Sequence, residues 1–508
     1  MSFPGAPALL ALYYLVLVVL AFFGVHRFVL AMLYLRTRRY RLERPPDPVE
    51  WPVVTVQLPL YNEMYVAERL IEAVCRLDYP REKLEIQVLD DSTDETSEIV
   101  ARAVAEARVR GIDIHHLHRC DRAGFKAGAL AAGLERARGE FIAVFDADFV
   151  PRPDFLKRSV AWFADPSLGL VQGSWAHINR SYSLLTQVEA ILLDGHFMIE
   201  HSARNRTGCF FNFNGTAGIW RREAIETSGG WEHDTLTEDL DLSYRAQLQG
   251  WRFLYLPELA VPSELPVDIN GFKSQQYRWA KGSAQTGRKL LGRLLRTRLP
   301  GRVKFEAFVH LTNNLSYPLM VLLALLIFPA MVERRGTPVS TLLLVDLPLF
   351  LGATVSVLIF YLLSQIALSR IEADTPWRRQ IRYLPALMGV GIGLSVNNAR
   401  AVLSGLFHRG GTFHRTPKYR IESRGQDWLG KRYRAVLSPS FVLELVLALY
   451  FIGCTVYAAA QRMYMSIPFL LLFVHGYTYM ALLGLLPHIR EWWQRWRTGR
   501  AATAGANG

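Results

Sequence analysis

Residues 141–148, FIAVFDAD, decide the fold class of this chain. A short continuous apolar run is typical of a parallel strand buried on both faces, and here two aspartates follow it directly. The same order recurs at 84–91, LEIQVLDD, and a β-branched run, VVTVQLP, lies at 53–59. Helical patterns at 64–77 and 95–109 separate these runs. The sequence therefore predicts an α/β domain with a doubly wound, mostly parallel sheet, whose ligands bind at the carboxyl ends of the strands.

Long apolar stretches lie on both sides of this segment. Hydrophobic residues make up 51% of the 508, and runs near the membrane-spanning length of about 20 residues occur at 8–34, 310–332, 341–368, 436–459 and 466–487. The first run is too long for the apolar region of a signal peptide, and an arginine cluster follows it. We therefore expect a soluble domain between a first membrane helix and a later membrane bundle.

A weaker apolar stretch at 383–407 affects the predicted topology. It contains glycines at 389, 391 and 393 and an Asn-Asn pair, which suit an interfacial or re-entrant element. Basic segments at 370–382 and 408–435 flank it, and the positive-inside rule places both on the cytosolic side. A single crossing would separate these flanks. We therefore predict five spans, with the N-terminus outside and the C-terminus inside.

The predicted organisation has four parts. They are a transmembrane helix with a basic flank at 1–44, a cytosolic domain with an interfacial helix at 45–300, a transmembrane and interfacial bundle at 301–487 that includes the loop 408–435, and a basic tail at 488–508.

The net charge indicates which partners to expect, and the cysteine pattern indicates which metal and disulfide sites not to expect. A net charge of +13 is compatible with nucleic acid, anionic headgroups or phosphate-bearing substrates. Arginine clusters stand at the ends of apolar runs, as at 36–41, so we expect the lipid bilayer and phosphates rather than nucleic acid. The four cysteines are far apart and form no Cys-x-x-Cys pair, which argues against a zinc site and a disulfide framework.

Paired carboxylates follow two of the predicted strands. Asp146 and Asp148 could hold Mg²⁺ or Mn²⁺, hard cations that bridge the diphosphate of a sugar donor. An isolated Asp-x-Asp is common, but its place after a buried strand strengthens the metal interpretation. Asp90 and Asp91 could equally form a turn and a helix cap.

Three further motifs supply cations, a base and an aromatic ring. The run RAGFKAGAL at 122–130 offers glycines for close backbone approach and two cations for phosphate, although without context it is a basic loop. Asp239 is the best general-base candidate, and it could also be a carboxylate at a helix N-terminus. Gln275, Arg278 and Trp279 share one face of a predicted helix, where arginine can pair with phosphate and tryptophan can stack on a sugar.

The order of these motifs, flanked by transmembrane segments, resembles the processive family 2 glycosyltransferases, which include cellulose, chitin and hyaluronan synthases. Stretches at 122–130, 211–221, 250–256 and 263–266 are similar to those of the mannan/glucomannan and glucan synthases, the cellulose-synthase-like A and C group. The resemblance covers about residues 50–300 closely and the membrane part only in layout. It implies a GT-A domain that uses a nucleotide sugar, UDP-glucose or GDP-mannose.

The resemblance also assigns roles to individual residues. It implies Asp239 and Glu238 as catalytic residues and Asp146 and Asp148 as metal ligands. The implied donor-binding residues are Asp90, Asp91, Lys126, Arg122, Glu63, Gln275 and Arg278. The implied acceptor-binding residues are Trp279, Asn214, Gly215 and Thr216. Phe413, Thr416 and Lys418 match a gating loop in which Arg415 replaces a valine, and a basic loop is the alternative.

The sequence thus predicts an inverting, metal-dependent membrane glycosyltransferase that polymerises a β-linked glucan or (gluco)mannan and translocates it. A non-processive synthase that transfers one sugar to ceramide or diacylglycerol is an enzymatic alternative, and a catalytically inactive scaffold or transporter is an alternative of another class. Nine lysines among 58 basic residues suggest a GC-rich bacterial genome, so we expect a bacterial inner membrane rather than the Golgi.

Overall fold

The computed structural model describes residues 6–40, 42–334, 341–408, 410–411 and 415–504. A seven-stranded sheet forms the centre of the catalytic domain. Its strands are β1 Val54–Leu60, β2 Leu84–Asp90, β3 Ile114–His118, β4 Phe141–Val144, β5 Leu168–His177, β6 Gly218–Arg221 and β7 Arg252–Ser263.

Eighteen α-helices are present in the described part of the chain. Those up to the end of the catalytic domain are α1 Ala6–Thr37, α2 Ala67–Cys75, α3 Thr96–Val109, α4 Phe125–Arg136, α5 Phe155–Val160, α6 Leu184–Asp194, α7 Ser202–Arg206, α8 Arg222–Thr227, α9 Glu238–Leu248 and α10 Ile269–Arg296. The later ones are α11 Gly301–Thr312, α12 Ser316–Glu333, α13 Leu347–Phe350, α14 Ser356–Leu368, α15 Trp377–Gln380, α16 Leu384–Phe407, α17 Phe441–Ala460 and α18 Ile467–Ala504.

The sheet confirms the predicted fold class. Its strand order is β3-β2-β1-β4-β6-β5-β7. The pairs β1–β2, β2–β3, β1–β4 and β5–β7 are parallel, and β6 runs antiparallel to both of its neighbours. The apolar runs at 53–59, 84–89 and 141–145 form β1, β2 and β4. Their carboxyl ends therefore lie side by side, as the sequence predicted.

Helices cover both faces of the sheet, which explains why its central strands are apolar throughout. On one face, Leu70 of α2 and Val100 of α3 pack with Val56 and Ile86. On the other face, Leu130 of α4 belongs to a core that continues through α6 to the membrane helices. The catalytic domain and the membrane part thus share one hydrophobic core.

The protein is an integral membrane protein. Among the described residues, six helices are long and apolar enough to cross a membrane, judged by length and composition. They are Ala6–Thr37, Gly301–Glu333, Leu343–Leu368, Trp377–Phe407, Phe441–Ala460 and Tyr464–Leu486. Five of them overlap the five predicted spans. The sixth contains 383–407, which the sequence analysis did not count as a span.

Gly389 and Gly393 of α16, which forms most of that sixth helix, lie against helix α18. A Cβ on Gly393 would come within 2.5 Å of the Gly476 carbonyl oxygen, and one on Gly476 within 2.1 Å of the Gly389 carbonyl oxygen. These glycines let α16 and α18 approach closely. Close helix packing is therefore a second explanation of the glycines, besides the re-entrant or interfacial element that the sequence predicted. Both flanks of α16 contact the preceding domain, since the turn Ile381–Tyr383 packs against α6 and Gln285 of α10 donates to the His408 carbonyl at 3.3 Å. That arrangement favours the predicted interfacial course, and the number of crossings stays a prediction.

Helix α10 joins the catalytic domain to the membrane helices. It begins at an N-cap, Asp268, whose carboxylate accepts from the backbone amides of Asn270 and Gly271. One face is buried against α11 and α16, and Lys273 inside it forms a buried ion pair of 2.5 Å with Glu444. The predicted helix is therefore present, and its contact with headgroups stays a prediction.

Candidate active site

One cavity collects most of the predicted site residues. It opens where the carboxyl ends of β1, β2, β4 and β7 meet α4, α9 and α10. The predicted residues that line it are Glu63, Asp91, Arg122, Lys126, Asp146, Asp148, Asn214, Gly215, Glu238, Asp239, Gln275, Arg278, Trp279, Thr416 and Lys418. Phe413 lies outside the described residues. Segments up to several hundred residues apart therefore converge on this one site.

Asp90 and Thr216 are not among the residues that line this cavity. Asp90 is fully buried, and its carboxylate lies 2.9 Å from His116 Nε2 and 3.3 Å from His118 Nδ1 on the neighbouring strand β3. The Thr216 hydroxyl accepts from the backbone amide of Asp146 at 2.9 Å. Thr216 thus fixes the backbone of Asp146, and Asp90 fixes the turn after β2 by accepting from the Ser92 amide at 2.9 Å.

Asp91 is held by an arginine that the sequence analysis did not identify. Arg119 Nε donates to Asp91 Oδ1 at 2.7 Å, and Arg119 Nη2 lies 2.5 Å from Oδ2. The same guanidinium donates to the Phe125 carbonyl at 3.1 Å. This bidentate pair fixes the carboxylate at the entrance to the cavity.

Lys126 is the cation at the centre of the site. Its Nζ lies 2.5 Å from Asp146 Oδ1, 2.9 Å from the Gly215 carbonyl oxygen and 4.0 Å from Glu238 Oε1. Burial alone would lower the pKa of Lys126, but the surrounding carboxylates outweigh that effect and raise it. The ammonium is therefore charged and balances several acids at once.

Asp239 lies beside Lys126 at the start of α9. Its Oδ1 accepts from the backbone amide of Leu240 at 2.8 Å. Burial raises the pKa of Asp239 to about 7, and the adjacent Glu238 carboxylate adds to the rise. A Cβ on Gly215, where φ is +79°, would lie 3.2 Å from Asp239 Oδ2 and 3.3 Å from Lys126 Nζ. Glycine at 215 therefore leaves room for this cluster.

Helix α10 is pressed against the loop that carries the two acids. A Cβ on Gly282 would come within 2.5 Å of the Thr237 side chain, so the contact requires glycine. Gln275, Arg278 and Trp279 face the cavity from this helix, as their spacing predicted. Burial lowers the pKa of Arg278 to about 10, which leaves it charged at neutral pH.

The loop after residue 415 closes the opposite wall. Lys418 Nζ lies 2.9 Å from Asp148 Oδ2 and also donates to the Glu264 carbonyl. Arg278 donates to the Thr416 hydroxyl at 3.0 Å. Arg415, which departs from the family's valine, lies 3.1 Å from Glu63. Burial raises the pKa of the Glu63 carboxyl to about 8, against the opposing charge of Arg415.

Asp146 and Asp148 suit a hard divalent cation chemically. Both offer carboxylate oxygens to the same cavity, which are the ligands that Mg²⁺ and Mn²⁺ prefer. The ammonium group of Lys126 pairs with Asp146 and that of Lys418 pairs with Asp148, so each occupies the place of a metal cation. A cation held by both aspartates would replace these ammoniums at the oxygens.

Sequence reasoning missed or undervalued several lining residues. Trp175 near the end of β5 lies with its ring centroid 6.4 Å from that of Trp279. Glu264 directly follows β7, in the stretch 263–266 to which the sequence assigned no individual role. Both could have been found by the rule that identified Asp91 and Asp146, because each stands at or after the carboxyl end of a strand. Arg119 directly follows β3 and fits the same rule, but its partner Asp91 lies 28 positions earlier and could not be read from the local sequence.

Residues 52–282 match the family model described as "Glycosyltransferase like family 2". These residues form a glycosyltransferase family 2 domain. It has the GT-A fold, as expected from the sequence. A mannosyltransferase from Pyrobaculum calidifontis, solved in complex with GDP-Man and Mn²⁺, aligns with a TM-score of 0.50 and 23% identity over 78% of this chain and 99% of that one.

The family 2 domain also has close relatives among curated plant proteins. Glucomannan 4-beta-mannosyltransferase 2 of Arabidopsis thaliana is 42% identical over 290 residues, which are 55% of this chain and 54% of the relative. A probable glucomannan 4-beta-mannosyltransferase 7 of Oryza sativa subsp. japonica is 46% identical over 246 residues, which are 47% and 42% of the two chains. This chain spans about half the length of the curated relatives it matches. These matches confirm the predicted resemblance to mannan synthases in the catalytic segment.

Proposed function

We propose that this protein is an inverting membrane mannosyltransferase that elongates a β-linked mannan or glucomannan from GDP-mannose. The observation that carries the proposal is the half-buried Asp239, with a pKa of about 7, in a cavity that also holds Lys126, Arg278 and an Asp-x-Asp pair. The choice of mannose over glucose is supported by the names of the plant relatives and by the GDP-Man of the Pyrobaculum enzyme.

The cations of the cavity are suited to a sugar diphosphate. Lys126 and Arg278 are half-buried and charged, and Arg122 lies with its guanidinium 3.3 Å from the centroid of the Tyr61 ring. Guanidinium and ammonium groups in a water-poor cleft bind phosphate oxygens strongly. In this proposal they hold the donor diphosphate, while Asp91 and its partner Arg119 face the nucleoside part.

Asp146 and Asp148 would hold a divalent cation. The cation supplies positive charge that stabilises the leaving diphosphate. The residues' own contribution is to place two carboxylates on one wall of the cavity, with Lys126 and Lys418 free to turn to phosphate once the carboxylates are occupied. The same two lysines keep the paired acids neutralised in the absence of donor.

Asp239 would act as the general base. When an acceptor hydroxyl attacks the anomeric carbon, Asp239 takes the hydroxyl proton and the bond from that carbon to the diphosphate breaks on the opposite side. A single displacement of this kind turns an α-linked donor into a β-linked product. A base with a pKa of about 7 is ionised in part at neutral pH and accepts the proton readily.

We also propose that the domain faces the cytosol, where nucleotide sugars are available, and that the protein translocates its polymer. Trp175 and Trp279 would stack on the acceptor next to the membrane helices that α10 contacts. The arginine bias of the sequence favours a bacterial inner membrane. The plant origin of the curated relatives gives no support to that preference over the Golgi.

Parallel incubations of the purified full chain with radiolabelled GDP-mannose and UDP-glucose, in Mn²⁺ or Mg²⁺, test the proposal. We expect long product from GDP-mannose that an endo-β-mannanase degrades. A single sugar on ceramide or diacylglycerol would favour the glycolipid alternative. Absence of product and of donor hydrolysis would favour the inactive scaffold.

A further inference from the structure

Asn214, at the wall of the cavity, is held by two histidines whose hydrogen bonds determine how its amide is oriented. Asn214 Oδ1 lies 2.7 Å from His201 Nε2, and Asn214 Nδ2 lies 2.9 Å from His196 Nε2. His201 Nε2 also lies 3.1 Å from the carbonyl oxygen of Asn212. The Asn212 carbonyl oxygen can only accept a hydrogen bond, so His201 Nε2 carries the hydrogen and the Asn214 atom that faces it must be the amide oxygen.

This assignment fixes the rest of the chain of hydrogen bonds. If His201 Nε2 donates to Asn214 Oδ1, the amide nitrogen of Asn214 must face His196, and His196 Nε2 must accept from it. The hydrogen of a neutral His196 then lies on Nδ1, which is 3.1 Å from Glu200 Oε2. A carboxylate at 200 is the partner that this arrangement needs.

Burial and charge agree with these protonation states. Burial lowers the pKa of His201 well below its usual range, so the ring is neutral, and its Nδ1 has no hydrogen-bond partner among the described residues. Burial opposes ionisation of Glu200, but Arg204 and His196 outweigh it and hold the pKa of that carboxyl well below its usual range. Arg204 lies 3.3 Å from Glu200 and is itself paired with Glu306 at 2.8 Å.

The backbone brings the two histidines together. Residues Gly195–His201 form a π-helical segment, whose wider turn places residues i, i+4 and i+5 on one side. His196, Glu200 and His201 occupy these positions, and the two imidazole centroids are 4.2 Å apart. A Cβ at Gly195 would lie 2.7 Å from the rings of Phe360 and Tyr361, so the segment packs closely against α14. Wide turns of this kind recur at functional sites.

We propose that His196, oriented by Glu200, and His201 are positioning residues that fix the Asn214 amide so that its second N–H is directed at substrate. That hydrogen has no acceptor among the described residues, and Asn214 lines the cavity. Its neighbour Gly215 packs against Asp239, the proposed base. The chemical partner is therefore an oxygen of the acceptor sugar that Asp239 deprotonates. This inference rests on the proposed function. It adds that His196 and His201 orient the Asn214 amide in the acceptor site of that reaction.

A double-mutant cycle between His196 and Asn214 tests the proposal. The measured quantity is the KM for β-1,4-mannohexaose, with GDP-mannose saturating, in the purified full chain. We expect His196→Leu and Asn214→Leu each to raise this KM about tenfold, the effect of roughly one hydrogen bond, while GDP-mannose affinity stays unchanged. We expect the double variant to resemble Asn214→Leu alone, because His196 acts through that amide.

The conservative variant His196→Gln separates orientation from packing. Its amide oxygen can accept from Asn214 and its amide nitrogen can donate to Glu200, so we expect most of the parental KM. Additive effects in the double variant, or equal losses in the Gln and Leu variants, would overturn the positioning role. A weaker affinity for GDP-mannose in place of the KM change would overturn the acceptor assignment. A parent that makes no product refutes the proposed function itself, whereas an active parent with no coupling refutes this inference alone.

Discussion

Asp239 is the proposed general base, and its environment determines when it can act as one. Burial and the neighbouring Glu238 raise its pKa to about 7, and a base works only when ionised. As pH falls through 7 the ionised fraction falls, so we expect kcat/KM of the parent to decline on the acid side with an apparent pKa near 7. We expect Asp239→Asn to cut turnover about 10²-fold or more and to remove this decline, with GDP-mannose affinity nearly intact. Measurement of kcat/KM from pH 5 to 9 checks both. Equal turnover in variant and parent would contradict the assignment.

Asp148 gives a second prediction at the same scale. Its carboxylate pairs with Lys418 at 2.9 Å and accepts from the Glu264 amide at 3.1 Å. If it holds a divalent cation, Asp148→Ala removes a ligand and the activity that depends on Mn²⁺. Titration of activity with Mn²⁺ measures the effect. Asp78→Ala is the matched control, because Asp78 is exposed and pairs with Lys157 on the surface. Full activity of the parent in excess chelator would refute the metal site.

Helix α10 carries a prediction at the scale of an element. Gly282 touches Thr237, and a Cβ there would overlap its side chain and approach its backbone nitrogen at 2.9 Å. Gly282→Ala should therefore push α10 away from Glu238 and Asp239, lower kcat at least tenfold and destabilise the fold by about 1–3 kcal/mol. Gly292→Ala on the same helix is the control, since nothing lies within 4 Å of its Cβ position. Because alanine favours a helix over glycine by about 0.5–1 kcal/mol, the control should be neutral or stabilising. Equal kcat values for the two variants would contradict the predicted contact.

Strands and their ends were predictable from the sequence, and side-chain partners across the chain were not. The apolar runs before Asp91 and Asp146 gave the parallel strands, and parallel strands bring their carboxyl ends together. The partners of Arg119 and Trp175, and the π-helical turn at 195–201, had no local pattern of their own. Their roles depend on residues that become neighbours only when the sheet and α6 pack.

At the scale of the whole molecule, the membrane helices were recognised by length, whereas the course of α16 was not decided by composition. Gly389 and Gly393 are compatible with re-entry and with close helix packing, and the structure uses them for packing against α18. Hydropathy describes one segment at a time, so it cannot tell which neighbour a glycine faces. The close approach of Gly389 and Gly393 to α18 in the folded chain supplies that information.

The proposed translocation is the function that would require the whole molecule. Trp279 faces the cavity from α10, the helix that connects the catalytic domain to the bundle, and its ring lies near that of Trp175. If the last sugar stacks there before it enters the bundle, chain length depends on this ring.

In sealed vesicles with the catalytic domain on the donor side, we expect long β-linked product on the far side, protected from added endo-β-mannanase on the donor side. We expect Trp279→Ala to shorten or abolish that product and Trp279→Phe to keep most of its length, because phenylalanine retains a stacking surface. Polymer that stays wholly accessible on the donor side would show that elongation and export are separate, since every product chain would then have left the cavity without crossing the membrane.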